Sequence, residues 1–400
     1  MKKILVLALM MITSITYAQK FTNIALTPPM GWNSWNKFGC DVNEQLLRDA
    51  ADAMVSSGMK DAGYVYIVVD DCWHGQRDSL GFIHPDSEHF PSGMKALIDY
   101  IHSKGLKFGI YSCAGNRTCA GRPASRGHEY QDALMYAQWG VDYLKYDWCD
   151  SEGLNAVGAY TTMRDALYAA KRPVVFSLCE WGTNKPWLWA GNVGHLWRTT
   201  GDISAVFDGE MNHGTWSSWG VMKILDLQEG LRQYAGPDHW NDPDMLEVGN
   251  GMTTSEDRAH FSMWCMLAAP LMAGNDMKNM SKETRDILTN REVIAVNQDP
   301  LGVQGWKYAA KDSLETWFKP LDGGDWAVCF LNRAKRPATV EFDWKSQKVC
   351  DEFSNRDLNA AGIEYTITNL WSKAPLGTTS KKLSAVVPGH DVLMMRLKKK

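Results

Sequence analysis

The chain has 400 residues, of which 45% are hydrophobic and 22% are charged, and its formal net charge at pH 7 is −4. This length suits one large domain together with a small one. The balance of charges provides no basic field for nucleic acid, and no stretch after residue 18 is apolar enough to cross a membrane. Composition therefore excludes nucleic-acid-binding and membrane-spanning proteins.

The first eighteen residues have the pattern of a secretory signal peptide. Lys2 and Lys3 precede the apolar run 4–12, and Thr16-Tyr17-Ala18 provides a small-residue cleavage site. The run is too short to span a bilayer, and the residue after the predicted cleavage is Gln19 rather than the cysteine of a lipid anchor. We therefore expect a protein exported to the periplasm or secreted, without a membrane partner.

Between residues 30 and 274, short β-rich runs alternate with longer amphipathic segments. The eight strand candidates are 30–35, 64–70, 107–111, 141–147, 173–179, 196–200, 239–242 and 270–273. The helical segments include 43–57, 93–104, 127–139, 153–170, 217–234 and 255–267. This alternation predicts a closed (β/α)8 TIM barrel, which we place over residues 19–304. A doubly wound open sheet is the alternative.

After residue 299 the pattern changes to short strand candidates separated by Gly, Pro and Asp. They lie at 314–319, 326–332, 338–344, 364–370 and 384–387, with no helix of useful length between them. The pattern predicts a small C-terminal antiparallel β domain over residues 305–400. Since no low-complexity linker precedes it, we expect this domain to pack directly on the barrel.

The strand candidate 141–147 ends with a lysine and a carboxylate on one face. Lys145 and Asp147 are two residues apart, and alternate residues of a strand share a face. In a parallel barrel the C-terminal strand ends carry the chemistry. We therefore predict that Asp147 is a nucleophile kept ionised by Lys145. An exposed, weak ion pair is the alternative for such a short pattern.

Acidic residues recur at the C-terminal ends of the strand candidates: Asp70, Asp71, Asp147, Glu180, Asp202, Asp242 and Asp244. Taken singly, each suits a helix cap or a loop salt bridge. A closed barrel would instead gather them in one pocket, with different pKa values because of mutual repulsion. Glycoside hydrolysis needs such a set of carboxylates, and four tryptophans flank them: Trp35, Trp73, Trp148 and Trp181.

Metal binding is the competing interpretation of segments 70–74 and 239–244. Neither has the paired histidines or the alternating aspartates of a known metal motif, so we expect no metal. Nine cysteines in an exported chain allow disulfides but leave at least one without an internal partner. The four that we expect to pair lie in or near loops after predicted strands: Cys40, Cys72, Cys119 and Cys149.

Seven motifs follow one another along the barrel sequence. They are MGWNSW (30–35), DDCW (70–73), HSKGLKFGIY (102–111), LKYD (144–147), CEW (179–181), WRTTGD (197–202) and WNDPDM (240–245). The ordered set resembles glycoside hydrolase family 27, the α-galactosidases, and especially their plant-like members. The resemblance runs from about residue 26 to residue 305 and is weaker in the β domain.

The resemblance implies a role for each matching residue. Asp147 matches the family's nucleophile and Asp202 its general acid/base. The remaining substrate-binding matches are Lys145 and Arg198, Asp70 and Asp71 at the C4 and C6 hydroxyls, and the pocket walls Trp35 and Tyr111. The resemblance also implies two disulfides, Cys119–Cys149 beside the nucleophile and Cys40–Cys72.

The implied mechanism is double displacement with retention and requires no cofactor. Asp147 would attack the anomeric carbon while Asp202 protonates the leaving oxygen, and Asp202 would then deprotonate water. Glu180 and Trp181 resemble the galactosidase form of the wall at the C2 hydroxyl, which favours a terminal α-D-galactosyl residue on an oligosaccharide or polysaccharide. The alternatives are a β-L-arabinopyranosidase, an α-N-acetylgalactosaminidase and, in a different class, a glycan-binding barrel without catalysis.

Three features depart from the family pattern. Extra residues follow the acid/base between Ser204 and Trp219, Trp148 stands where a smaller residue is common, and Cys113 stands where an acid is usual. Because the extra loop comes directly after Asp202, we expect it to reshape the leaving-group side. The natural aglycone therefore stays open at the level of sequence.

Overall fold

The structure, a computed structural model, describes residues 20–400. The predicted signal peptide lies outside the described residues. From Lys20 to Asn297 the chain alternates strands and helices, and from Trp306 it forms antiparallel β-structure. Within residues 20–400, no helix combines the length and the apolar character needed to cross a membrane.

Eight parallel strands form the barrel, numbered here in chain order. They are β1 (Met30–Asn33), β2 (Tyr66–Val68), β3 (Lys107–Cys113), β4 (Tyr143–Asp147), β5 (Val175–Cys179), β6 (Leu196–Arg198), β7 (Trp240–Asp242) and β8 (Leu271–Ala273). The spatial order is β7-β6-β5-β4-β3-β2-β1-β8, so sequence neighbours lie side by side. A doubly wound sheet reverses its strand order at a switch point, and this sequential order excludes it.

The barrel closes between β7 and β8 through the segment directly after β7. The backbone amide of Leu246 donates to the carbonyl of Met272 at 2.8 Å, and the amide of Gly274 donates to the carbonyl of Leu246 at 3.1 Å. These two bonds complete the ring of parallel strands. The predicted (β/α)8 barrel is confirmed.

Helices surround the barrel. They are Trp35–Phe38, Glu44–Ser56, Met59–Ala62, Gly93–Ser103, Glu129–Trp139, Ala156–Ala169, Val221–Asp226, Thr254–Met266, Lys282–Leu288 and Arg291–Asn297, with 3-10 turns at Pro186–Leu188, Ala190–Asn192 and Arg232–Tyr234. The helix Thr254–Met266 begins with a capping box, because the side chain of Thr253 accepts from the amide of Glu256 and the carboxylate of Glu256 accepts from the amide of Thr253.

The helix predicted over 217–234 is wrong for most of its length. Ser217–Trp219 forms a strand that pairs antiparallel with Glu210–Asn212, and α-helix is limited to Val221–Asp226. The apolar spacing within 221–225 suggested a longer helix. Gly230 prevents one, because it adopts a φ of +81°, in the left-handed region that ends helices.

The C-terminal domain is built on a six-stranded antiparallel sheet. In spatial order its strands are Trp306–Lys311, Leu314–Pro320, Trp326–Asn332, Asp391–Lys399, Tyr365–Asn369 and Pro375–Thr378. Two ribbons accompany it, Ala338–Phe342 with Leu383–Val387 and Val349–Asp351 with Arg356–Leu358. The predicted C-terminal antiparallel domain is confirmed, although sequence patterning does not predict the strands 306–311, 349–351, 356–358, 375–378 and 391–399.

The β domain packs directly on the barrel through the helix Thr254–Met266. One continuous apolar cluster contains Met263 and Trp264 from this helix together with Cys329 and Met394 from the β sheet. The sulfur atoms of Cys329 and Met263 lie 3.9 Å apart. The predicted boundary at 304/305 falls in the segment between the last helix of the barrel and the first strand of the sheet.

Candidate active site

The residues that the sequence predicts for the site follow or end the barrel strands. Lys145 and Asp147 lie on β4, Tyr111 on β3 and Arg198 at the end of β6. The others come shortly after strands: Trp35 begins the short helix after β1, and loops hold Asp70 and Asp71 after β2, Glu180 and Trp181 after β5, and Asp202 after β6. All of them therefore belong to the C-terminal face of the barrel, where the loops converge.

Asp147 is the last residue of β4 and is nearly enclosed, with 5% of its surface exposed. The hydroxyl of Tyr111 donates to its Oδ2 atom at 2.9 Å, and the amide of Trp148 donates to Oδ1 at 2.9 Å. Burial raises the pKa of Asp147 to about 6; the ammonium of Lys145 opposes this shift and the negative charge of Asp202 adds to it.

Lys145 pairs directly with Asp70 rather than with Asp147. Its Nζ atom donates to Asp70 Oδ2 at 2.8 Å, and Asn33 Nδ2 donates to the same oxygen at 2.6 Å. Burial opposes the charge of Lys145, but the carboxylates of Asp70 and Asp147 raise its pKa well above the ordinary value. The side chain of Asp70 is 2% exposed, so the pair is not the exposed ion pair of the alternative interpretation.

Asp71 ties the loop after β2 to the loop after β3. Its carboxylate accepts from the amide of Cys72 at 2.7 Å and from the amide of Ala120 at 2.9 Å. Burial raises the pKa of Asp71 against these two bonds. The Nδ1 atom of His74 lies 3.7 Å away, and burial lowers the pKa of His74 to about 3, so that the ring is neutral.

Arg198 connects two carboxylates at the mouth of the barrel. Its Nη2 atom donates to Asp202 Oδ1 at 3.0 Å and forms an ion pair with Asp244 Oδ2 at 2.8 Å. Burial opposes its charge, but Asp244 and Asp202 raise its pKa well above the ordinary value. The side chain of Asp202 is 44% exposed, in contrast to the buried Asp147, so water reaches Asp202.

Asp244 is a site residue to which sequence reasoning gives no specific role. In addition to its ion pair with Arg198, Asp244 accepts a hydrogen bond from the amide of Ile203 at 2.9 Å through Oδ2. This bond fixes the segment immediately after Asp202. The repeated acid in the Asp242-Pro243-Asp244 motif is the only signal for it in the sequence, because the partner Arg198 lies on a different strand.

Glu180 is fully buried and only half satisfied. Its Oε2 atom accepts from the amide of Asn184 at 2.7 Å and from the Asn184 side chain at 2.9 Å. Its Oε1 atom has no hydrogen-bond partner within residues 20–400, and burial raises the pKa of Glu180 to about 7. A buried acceptor without a partner costs free energy, so Oε1 is a strained position in this wall of the site.

The two expected disulfides, Cys40–Cys72 and Cys119–Cys149, are both formed. The Cys119 sulfur lies 3.4 Å from Asp147 Oδ2, so this bridge forms a wall beside the carboxylate. Within residues 20–400, one group of three or more His, Cys, Asp or Glu side chains has its ligand atoms close enough together to hold a metal ion. This group is Cys119, Asp147 and Cys149. Since both cysteines are oxidised, they offer no thiolate ligand.

Two of the four flanking tryptophans belong to the core of the barrel. Trp73 is fully buried, and its Nε1 atom donates to the carbonyl of Tyr111 at 2.8 Å. Trp148 stacks on Tyr160 with ring centroids 5.5 Å apart. Trp35 and Trp181 are partly exposed and keep an indole surface for a ligand.

A buried carboxylate beside an ammonium, with an exposed carboxylate nearby at the C-terminal face of a (β/α)8 barrel, is the arrangement of a glycoside hydrolase. Residues 27–299 match the family described as alpha galactosidase A, and residues 311–397 match the alpha galactosidase C-terminal beta sandwich domain. The chain therefore belongs to the α-galactosidases, glycoside hydrolase family 27.

Individual relatives agree with this membership. Alpha-galactosidase A of Cellvibrio japonicus is 57% identical over 402 residues, covering 99% of each chain. The structure of alpha-galactosidase I from Mortierella vinacea is 36% identical with a TM-score of 0.87, covering 94% of this chain and 98% of its own. The Saccharomyces cerevisiae enzyme, solved with raffinose, is 32% identical with a TM-score of 0.87, covering 96% and 100%.

Proposed function

We propose that this protein is a retaining exo-glycosidase that hydrolyses terminal α-D-galactosyl residues, with Asp147 as nucleophile and Asp202 as acid/base. Family membership supports the reaction. The observation that supports the two roles is the contrast in environment: Asp147 is buried and held by Tyr111, whereas Asp202 is exposed and held by Arg198. A nucleophile needs a fixed, water-shielded carboxylate, and an acid/base needs access to water.

In the first step Asp147 attacks the anomeric carbon and Asp202 gives its proton to the leaving oxygen. The hydrogen bonds from Tyr111 and from the amide of Trp148 hold both oxygens of Asp147 in place before the attack. In the second step Asp202 takes a proton from water, which attacks the galactosyl–Asp147 ester and releases galactose with its configuration retained.

Hydroxyl recognition falls to the charged groups around Asp147. Asp70 and Lys145, which are already paired, would share the C4 and C6 hydroxyls with Asp71. The unpaired Oε1 atom of Glu180 is the acceptor for the C2 hydroxyl. A site built to hydrogen-bond this hydroxyl rejects a sugar with an N-acetyl group there, because the buried carboxylate would lose its partner and occupy the same space.

The remaining features of the proposal concern cofactor and location. Every step above uses side chains of this chain, so no cofactor or metal takes part. Two disulfides are typical of an oxidising compartment, and together with the predicted signal peptide they support an exported enzyme. The partner is an α-galactoside carbohydrate, in keeping with the relative solved with raffinose.

The test is kcat/KM on three p-nitrophenyl glycosides: α-D-galactopyranoside, β-L-arabinopyranoside and N-acetyl-α-D-galactosaminide. We expect the galactoside to be the best substrate and Asp147→Asn to lower its kcat/KM by at least about 10³-fold, as for loss of a covalent nucleophile. The matched control is Asp61→Asn, the same substitution at an exposed aspartate on the helix Met59–Ala62, and we expect it to keep full activity.

Each contrary outcome has its own meaning. Faster cleavage of the arabinoside would make the enzyme a β-L-arabinopyranosidase and contradict the assignment of Asp70 and Asp71 to the C6 side. Faster cleavage of the N-acetylated sugar would contradict the role of Glu180. Binding of galactose without cleavage of any substrate would leave a glycan-binding barrel and overturn the proposal.

A further inference from the structure

The extra segment after Asp202 folds into a β-hairpin that is joined to the backbone of Asp202 itself. The strands Glu210–Asn212 and Ser217–Trp219 pair with Trp219 opposite Glu210 and Ser217 opposite Asn212. The amide of Trp219 donates to the carbonyl of Asp202 at 2.8 Å, and the amide of Ser204 donates to the carbonyl of Trp219 at 2.9 Å. The hairpin therefore extends directly from the proposed acid/base.

At the tip of this hairpin lies an exposed indole. All eighteen tryptophans fall within residues 20–400, and Trp216 is the only one among them with an exposed side chain, at 51%. The imidazole of His213 stacks on it with ring centroids 4.0 Å apart, and His213 Nε2 is 2.8 Å from the Ser218 hydroxyl oxygen. Trp216 is thus held in a defined orientation although it is exposed.

The base of the hairpin is fixed as well. Lys223 Nζ lies 4.6 Å from the ring centre of Trp219 and 2.9 Å from the carboxylate of Glu210. A side chain at Gly201, next to Asp202, would touch the Trp219 ring at 3.6 Å. These contacts anchor the hairpin on the loop that carries Asp202. Trp216 precedes Trp219 by three residues, so at 3.3–3.4 Å per residue it lies about 10 Å from this anchor along the strand.

The acid/base protonates the leaving oxygen, so the leaving group lies on its side of the site. An exposed, pre-oriented indole there offers its face to the apolar face of a sugar ring, a contact that buries apolar surface at little entropic cost. We infer that the hairpin 210–219 is a leaving-group subsite, in which Trp216 stacks on a sugar ring beyond the terminal galactosyl residue. This inference rests on the proposed function. The substrate class is then an α-galactosyl oligosaccharide or polymer side chain.

A second copy of the chain is the competing occupant, and the size of the patch argues against it. Met211, 43% exposed, is the one other exposed large apolar side chain on this hairpin. The neighbouring side chains Glu210 and Asn212 are polar and also exposed. A stable interface buries about 800 Å² on each partner, far more than these two apolar side chains present, whereas one indole is enough to hold a pyranose ring.

The test compares one substrate with a short leaving group and one with a long leaving group. The probes are p-nitrophenyl α-D-galactopyranoside and mannotriose that carries a single α-galactosyl branch. For each variant, the readout is the ratio of kcat/KM for the oligosaccharide to kcat/KM for the aryl galactoside. The variants are Trp216→Ala, Trp216→Phe and the control Val386→Ala, which truncates a 63% exposed side chain in the β domain.

We expect Trp216→Ala to lower this ratio by roughly tenfold, mainly through a higher KM for the oligosaccharide, as for loss of one aromatic stacking contact. Trp216→Phe keeps most of the ratio, because an aromatic face remains, and Val386→Ala leaves it unchanged. A ratio that does not change in Trp216→Ala overturns the inference. An unchanged ratio together with an altered oligomeric state, measured by light scattering, would instead assign Trp216 to a contact between two copies of the chain.

The experiment separates this inference from the proposed function. If the wild type cleaves the aryl galactoside in a reaction that requires Asp147, an unchanged ratio in Trp216→Ala overturns only the role of the hairpin. If the wild type cleaves neither probe, the proposed function fails and the subsite falls with it.

Discussion

Asp147 shows at the scale of one residue how the chemistry of the site opposes the stability of the fold. Burial raises its pKa to about 6, although the proposed reaction needs the ionised form. Asp242 and Glu180 show the same effect, because burial raises their pKa values to about 6 and about 7. Near neutral pH the folded protein therefore carries buried negative charge that the unfolded chain carries in water at lower cost.

The sign of this linkage follows for Asp147. An unfolded aspartate titrates near pH 4, so between about pH 4 and pH 6 the folded state binds the proton that the unfolded state has released. The contribution of Asp147 to the free energy of unfolding is fully present below pH 4. It is lost as pH rises through the folded pKa, and the loss is about 3 kcal/mol for a shift of this size. The loss is greatest at neutral pH and above.

We therefore predict that Asp147→Asn raises the melting temperature at pH 7–8 but has little effect at pH 4. The amide is isosteric, its oxygen accepts from the amide of Trp148, and its nitrogen donates to the Tyr111 hydroxyl oxygen. Melting curves of wild type and variant between pH 4 and 8 measure the difference. Asp61→Asn serves as the exposed control, and a difference that does not grow with pH would contradict the argument.

Sequence patterning identifies individual site residues better than their partners. The position of Lys145 and Asp147 at a strand end is enough to predict a site. That Lys145 pairs with Asp70 and Arg198 pairs with Asp244 depends on how the strand ends are arranged around the closed barrel. A tryptophan beside the predicted carboxylates does not show by itself whether it faces the pocket, because Trp73 fills the core.

At the scale of elements, the loops after β3 and β4 are held together by a close backbone contact. Gly115 follows β3, and a Cβ atom there would lie 2.0 Å from the carbonyl oxygen of Cys149 and 2.3 Å from that of Asp150. These carbonyls belong to residues two and three positions after Asp147, at the Cys119–Cys149 bridge. Backbone atoms cannot rotate away as a side chain can, so the β4 loop would have to move.

We predict that Gly115→Ala lowers both stability and kcat/KM for p-nitrophenyl α-D-galactopyranoside. The overpacking should cost about 1–3 kcal/mol, and a displaced Asp147 loses its alignment with the anomeric carbon. Gly191→Ala is the matched control, since nothing lies within 4 Å of its Cβ position and its φ is not positive. Wild-type melting and activity in Gly115→Ala would contradict the role assigned to the contact.

The elements themselves follow from local sequence where the pattern is simple. Alternating strand and helix periods over residues 30–274 are sufficient to predict the barrel, because each βα unit buries its own apolar face. The helix predicted over 217–234 fails because Ser217–Trp219 pairs as a strand with Glu210–Asn212 and Gly230 adopts a left-handed φ after the short helix. The strand Asp391–Lys399 fails because Val392–Met395 is buried on both faces, so apolar and polar residues do not alternate.

At the scale of the whole molecule, barrel and β domain share one apolar cluster and are joined by ion pairs. Arg333 donates to both oxygens of Asp226 at 2.8 and 2.9 Å, and Arg258 pairs with Asp391 across the same junction. Helix Thr254–Met266 is buried over residues 259–266, because the barrel covers one side and the sheet the other. The two domains should therefore unfold together rather than separately.

Lys319 places a charge inside this junction. It is fully buried on the strand Leu314–Pro320, and its Nζ atom donates to the carbonyl of Val303 at 2.8 Å. Burial lowers the pKa of Lys319 to about 8, and the nearby carboxylate of Asp299 opposes this shift. Between pH 8 and about 10.5 the unfolded state then holds a proton that the folded state has lost, so stability from this group rises with pH.

We predict that the stability of Lys319→Met relative to wild type falls as pH rises from 7 to 10. Below pH 8 the variant is relieved of a buried ammonium, and at pH 10 this advantage is gone, a change approaching about 3 kcal/mol across the window. The unpaired Val303 carbonyl adds a penalty that does not depend on pH, so only the slope is diagnostic. Denaturant unfolding at several pH values measures it, with the exposed Lys311→Met as control. Parallel pH profiles for Lys319→Met and wild type would show that the junction does not hold a buried charge.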